Sequence, residues 1–284
     1  MLFDFVERLT EPGIVNRIRQ EGRRFYRFRT TPYMPVEFAA AAYRLGHSMV
    51  RESYSHNRVF REGGVAPATF DLLFHFTGKS GGIVGDLAAG PESGQGTVEG
   101  KGPLRDLPSN WVIDCRRFYD LGTPSGTPNF TLNAARRIDP FLAPSLHTLP
   151  GGGGVLPLRN LKRGVMLGLP SGQDVARVMG VEMLTPSQLS AGPDGAVARA
   201  QGLVEATPLW YYILKEAEQM QQGLRLGPVG STIVAETFLG MVHGDHDSFM
   251  WKRTNWMPEL PAAVPGTFTM SDLIRFVGDV NPVG

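Results

Sequence analysis

The chain has 284 residues, with 28 Lys and Arg against 27 Asp and Glu and a net charge of +1 at pH 7. This balance excludes a basic field for nucleic acid and a solvating acidic tail, and the length is ample for a sizeable core. The 35 Gly and 22 Pro predict long irregular connections, while the single Cys115 excludes an internal disulfide and favours a reducing, cytoplasmic setting.

The first twelve residues lack the basic start and small-residue cleavage site of a secretory signal, and Leu2, Phe3, Phe5, Val6 and Leu9 read as an amphipathic helix already under way. No run of eighteen apolar residues predicts a membrane span. Residues 1–29 predict two short helices broken at Pro12-Gly13, then a stretch of alternating arginines and aromatics at 23–29. Such a mixture can stack bases and bind phosphates, but without a wider basic field it reads better as an extended segment covering the core.

Residues 34–57 predict one long helix. Pro35 suits its first turn, and Phe38, Ala42, Leu45 and Met49 recur at helical spacing. The opposite face, with Ala40, Tyr43, His47 and Val50, is hardly more polar, so the helix and His47 are expected to be buried. A buried imidazole is either a core histidine bonded to a carbonyl or a metal ligand. Arg44, three residues before His47 on the same face, cannot raise the ring's affinity for protons, but it can hold an anionic arm of whatever the ring binds.

A further buried helix or helical turn is predicted over 65–78 and a helix over 109–121, the latter with Trp111, Cys115 and Phe118 inward; 79–103 and 122–135 read as loops and 137–147 as a turn-rich passage. Lys79-Ser80 does not complete a phosphate-binding loop, because Leu73 stands where the pattern needs its first glycine. The four glycines at 151–154 read as a hinge and the best internal boundary. After them come a turn around Asn160 and Arg163 and a helix opening at Ser171 with Asp174. A helix over 207–222 is capped by Thr207, started by Pro208 and ended by Gly223. His243, Asp245, His246 and Asp247 offer metal-ligating types, but without helical ligand spacing they read as a solvated loop. Thr269 with Asp272 opens a last helix to Val277.

Three of these segments resemble the animal-type haem peroxidase superfamily, in particular its bacterial branch. Tyr43-Arg44, Gly46 and His47 are similar to the family's proximal helix. Leu156-Pro157, Asn160 and Arg163, followed by Gly168-Leu169-Pro170, are similar to its L-P-x-x-N-x-x-R segment and G-L-P turn. Leu226-Gly227-Pro228, Ile233, Glu236 and Gly244-Asp245 are similar to a scaffold helix. The resemblance runs from about residue 3 to residue 250 in family order. It implies a mainly α-helical, haem-peroxidase-like core with long irregular loops, forming one domain over 1–284. It implies haem b as cofactor, with His47 as proximal iron ligand, Arg44 as haem-propionate partner, Asn160 as acceptor for the histidine Nδ1–H and Arg163 near the haem edge. Hydrogen peroxide and an organic or halide reductant would be the substrates.

The sequence departs from the family at Val165, Met166 and Leu167, where many members read Arg, Asp and His. The family's distal histidine and arginine and its calcium loop precede everything matched here. None of His56, His75, His147, His243 or His246 stands in a distal motif, so no catalytic residue is assigned. The expectation is a C-terminal peroxidase portion whose distal half comes from an N-terminal segment or a second chain. The alternatives are a haem-binding protein without turnover and a haem-free α-helical module.

Overall fold

In a computed structural model, the structure describes residues 2–27, 32–57, 60–64, 67–69, 113–121, 132–149, 154–247, 252, 260–265 and 267–278. Among these residues ten α-helices and one two-stranded sheet give a mainly α-helical structure. The chain gathers into two compact units, residues 1–50 with 136–257 and residues 51–135 with 258–284.

The first unit opens with α1 (Leu2–Leu9) and α2 (Ile14–Glu21), separated at Pro12-Gly13 as the sequence predicts. Their apolar faces, Val6, Ile14, Val15 and Ile18, pack on Ala235 and Leu239 of α9 (Pro228–Gly244). Helix α9 is apolar nearly all round and is accordingly buried from Val229 to Leu239 on most faces. Its partner α8 (Leu209–Gln221) lies against it, and Gly230 makes the approach possible: a Cβ there would stand 2.9 Å from Ile213 Cγ2.

Buried carboxylates tie these helices together. Glu216 of α8 accepts the first N–H groups of α9, from Val229 at 3.0 and 3.1 Å and Gly230 at 3.1 Å. Those donors have no partner within their own helix, so a carboxyl group from a neighbour completes them. Glu236 of α9 accepts N–H bonds from Arg24, Phe25 and Tyr26 at 2.9 to 3.0 Å, which fixes these three residues on the core.

Several sequence expectations need correction. The single helix over 34–57 is not formed: α3 (Val36–Ala40) stops after five residues, and Ala42–His47 winds as a 3-10 helix. Ala41 breaks the path at φ −131° and ψ −73°. The carbonyl of Ala39 is taken by the Arg44 guanidinium, and Arg44 and Ser48 then bond back three residues rather than four. Tyr43, expected inside, is 48% exposed, and His47 is half-buried.

The turn expected around Asn160 is an eleven-residue helix, α4 (Leu156–Met166), with Pro157 in its first turn. Helix α5 (Gly172–Met179) opens as predicted, with Ser171 accepting the Asp174 N–H. It is followed by α6 (Pro186–Leu189) and α7 (Gly195–Ala200). Thr207 does not cap α8; its hydroxyl donates to Leu203 O and accepts from Gln173 Nε2. Leu149 N–H bonds Gly154 O across the four-glycine run, and the chain on both sides belongs to this unit.

In the second unit, β1 (Ser53–Tyr54) pairs antiparallel with β2 (Ala68–Thr69). The expected helix over 65–78 is a strand at 68–69, and its remainder from residue 70 lies outside the described residues, as do the loop at 79–103 and Trp111. Of the helix expected over 109–121, the described part holds one 3-10 turn, Cys115–Arg117, because the Asp114 carboxylate accepts the Arg116 N–H and caps it locally. Asp114 and Arg117 are buried there rather than Cys115 and Phe118. Helix α10 (Met270–Val277) starts on the predicted Thr269 and Asp272 capping box.

Candidate functional site

Residues from two distant segments meet in the first unit. The 3-10 winding has three residues per turn, so side chains three apart eclipse each other, and Arg44 and His47 project together. Helix α4 lies beside α3 and presents Asn160, its one buried residue, toward them. Asn160 Nδ2 donates to His47 Nδ1 at 2.9 Å, and Arg44 Nη1 donates to Asn160 Oδ1 at 3.1 Å. Arg44 Nε donates to Ala39 O at 3.1 Å, and Trp210 Nε1 reaches Arg44 O at 3.5 Å, the long limit of a hydrogen bond.

The structure therefore brings Arg44, His47 and Asn160 into direct contact. Arg163, on the same helix as Asn160, is exposed and acts on Arg44 as a like charge. Burial first, then Arg163 and Arg159, holds the Arg44 guanidinium below its ordinary value. Burial first, then the charge of Arg44, holds His47 below the ordinary imidazole value, so the ring is neutral at pH 7. Among the described residues Nε2 of His47 makes no hydrogen bond, and the ring is partly exposed.

Asn160 also lines a cleft of about 220 Å³ with Leu161, Gly164, Leu169 and Trp210. Sequence reasoning missed Trp210 and Ala39. The backbone acceptor of Ala39 has no residue-type signal, and Trp210 lies on the buried face of α8, where an indole reads as packing. Among the described residues no group of three His, Cys, Asp or Glu could hold a metal ion by itself, and this includes the loop around His243 and Asp247. Val165 and Met166, at the departure from the family pattern, are 80% and 78% exposed at the end of α4.

No protein-family model matches the sequence, and a search of curated proteins finds no match.

Proposed function

We propose that this chain builds the proximal half of a haem-peroxidase-type site, with His47 as the axial iron ligand. The contact between His47 Nδ1 and Asn160 carries the reading: two segments 113 residues apart, singled out separately in the sequence, share one 2.9 Å hydrogen bond. A metal-bound imidazole donates its other ring N–H to such a partner; here Asn160 presents Nδ2 to Nδ1, the reverse of the acceptor role that the resemblance implies, so its amide would have to turn to support a bound metal.

The residues suit haem in kind. One imidazole suffices for iron already held in the plane of a macrocycle, whereas a metal held by protein alone needs a ligand group that the described residues do not gather. Arg44, with Arg163 on the neighbouring helix, would take the carboxylate arms, His47 would hold the axial position, and Asn160 would orient the ring. Bound haem would supply the redox chemistry of peroxide-dependent oxidation of an organic or halide substrate. No residue of this chain is assigned to moving the peroxide proton, a role worth about 10² to 10⁴ in rate. We expect slow turnover by this chain alone, and an N-terminal segment or second chain would complete the site.

One observation favours the alternative of a haem-free helical module: Arg44 is already bonded to Asn160 and Ala39 without an anion. A haem titration followed by visible absorption, on the protein and on His47→Ala, separates the two. A saturable, histidine-ligated Soret band that the substitution abolishes supports the haem reading. No specific band, or one unchanged in His47→Ala, overturns it.

A further inference from the structure

We propose that Arg44 sets the tautomer of His47 through Asn160 and so decides whether Nε2 is open to a metal, an inference that rests on His47 being the ligand. The argument is one of donors and acceptors. A guanidinium has five N–H groups and no acceptor, so the amide atom 3.1 Å from Arg44 Nη1 is the oxygen. The other end of the amide, Nδ2, carries only N–H donors and lies 2.9 Å from His47 Nδ1. Nδ1 must then present its lone pair, and the neutral ring carries its proton on Nε2. A protonated ring nitrogen has no lone pair for a metal.

The chain of bonds is firmly held. Asn160 is fully buried, so water does not readily replace either partner. Arg44 is pinned by its second bond, to Ala39 O, and by its place one 3-10 turn from His47. The same bonds define the release. When an anionic group draws the Arg44 guanidinium away, the Asn160 oxygen loses its donor. The amide then rotates to accept an Nδ1–H, and the Nε2 lone pair faces outward. Arg163 as a like-charged neighbour favours that exchange. The arrangement selects a ligand that brings carboxylate arms together with its metal and rejects a bare cation. Arg44 is thus a positioning residue that acts through Asn160.

The test is long-range 1H–15N correlation NMR of the full chain labelled with [15N]histidine, without haem, at a pH where the imidazole is neutral. The unaltered protein is expected to show Nε2 protonated and Nδ1 as the bare nitrogen. Arg44→Leu should lose that preference. Asn160→Asp, whose carboxylate accepts from both neighbours, should move the proton to Nδ1. Backbone amide spectra establish that each variant is folded, and the unaltered protein decides the first point by itself. An Nδ1–H tautomer in the unaltered protein, or an Nε2–H pattern that persists in both variants, overturns the inference. The readout needs no haem, so failure to bind haem removes the proposed function while leaving the Arg44 control of the ring standing.

Discussion

The α8–α9 pair and the turn that carries His47 belong to one unit and treat their charges in opposite ways. In the helix pair each buried ionisable side chain ends on partners. Lys215 Nζ is bonded to Ala191 O at 2.7 Å, Asp194 at 3.0 Å and Glu218 at 2.7 Å, and Glu216 and Glu236 each collect backbone N–H groups. Around His47 two of the neighbours of Arg44, Arg163 and Arg159, are like charges, and one ring nitrogen is left without a partner among the described residues. A polar group completed on all sides is scaffold; one held on a single side is available for a ligand.

Substitutions that press α5 into the helix pair should break this contrast most strongly. A Cβ at Gly172 would lie 2.0 Å from Tyr212 Cγ, and Tyr212 is fully buried, with its hydroxyl accepting the Leu184 N–H. Gly172→Ala should cost about 3 kcal/mol, at the upper end for overpacking, read as a lowered urea midpoint. A cost under 1 kcal/mol would mean that the helices slide past each other freely.

The next effect is on pH dependence. Burial pushes the Glu216 carboxyl up to about 8, against the pull of its N–H donors. A folded value raised above the unfolded one adds stability that is complete below about 4.5 and is lost as pH rises through 8. Glu216→Gln should flatten the stability profile over that interval. An unchanged slope would place the titrating group elsewhere.

At the His47 turn the effects should appear in binding before stability. Under the proposed function, Asn160→Ala should weaken haem affinity about 10- to 100-fold in an absorption titration, because the ring loses its orienting partner. His47→Ala should change the urea midpoint by no more than about 1 kcal/mol, since its ring is half-buried. A loss of several kcal/mol would make His47 a core residue like those of α8 and would erase the contrast.

Local chemistry made much of the helical framework legible in the sequence. Ser171 with Asp174 and Thr269 with Asp272 begin helices where a side-chain acceptor stands three residues before its N–H donor. Helix α8 runs from Leu209 to Gln221, between the Pro208 and Gly223 that mark its limits in the sequence. The reading failed where side-chain donors and acceptors compete with the helix ladder. The Arg44 guanidinium takes Ala39 O, Asp114 caps a single turn, and Thr207 turns its hydroxyl to Leu203 instead of α8. Glu216 as the cap of α9 is invisible to a local pattern, because the donor helix begins twelve residues later and only packing brings them together.

The candidate site divides in the same way. The residue types and their order around Arg44, His47 and Asn160 are properties of the sequence, as is the three-residue spacing that projects Arg44 and His47 together. Which end of the Asn160 amide faces the imidazole belongs to the tertiary structure. That orientation is imposed by a guanidinium 116 residues away along the chain, and the direction of a hydrogen bond depends on which donor arrives rather than on any spacing in the sequence.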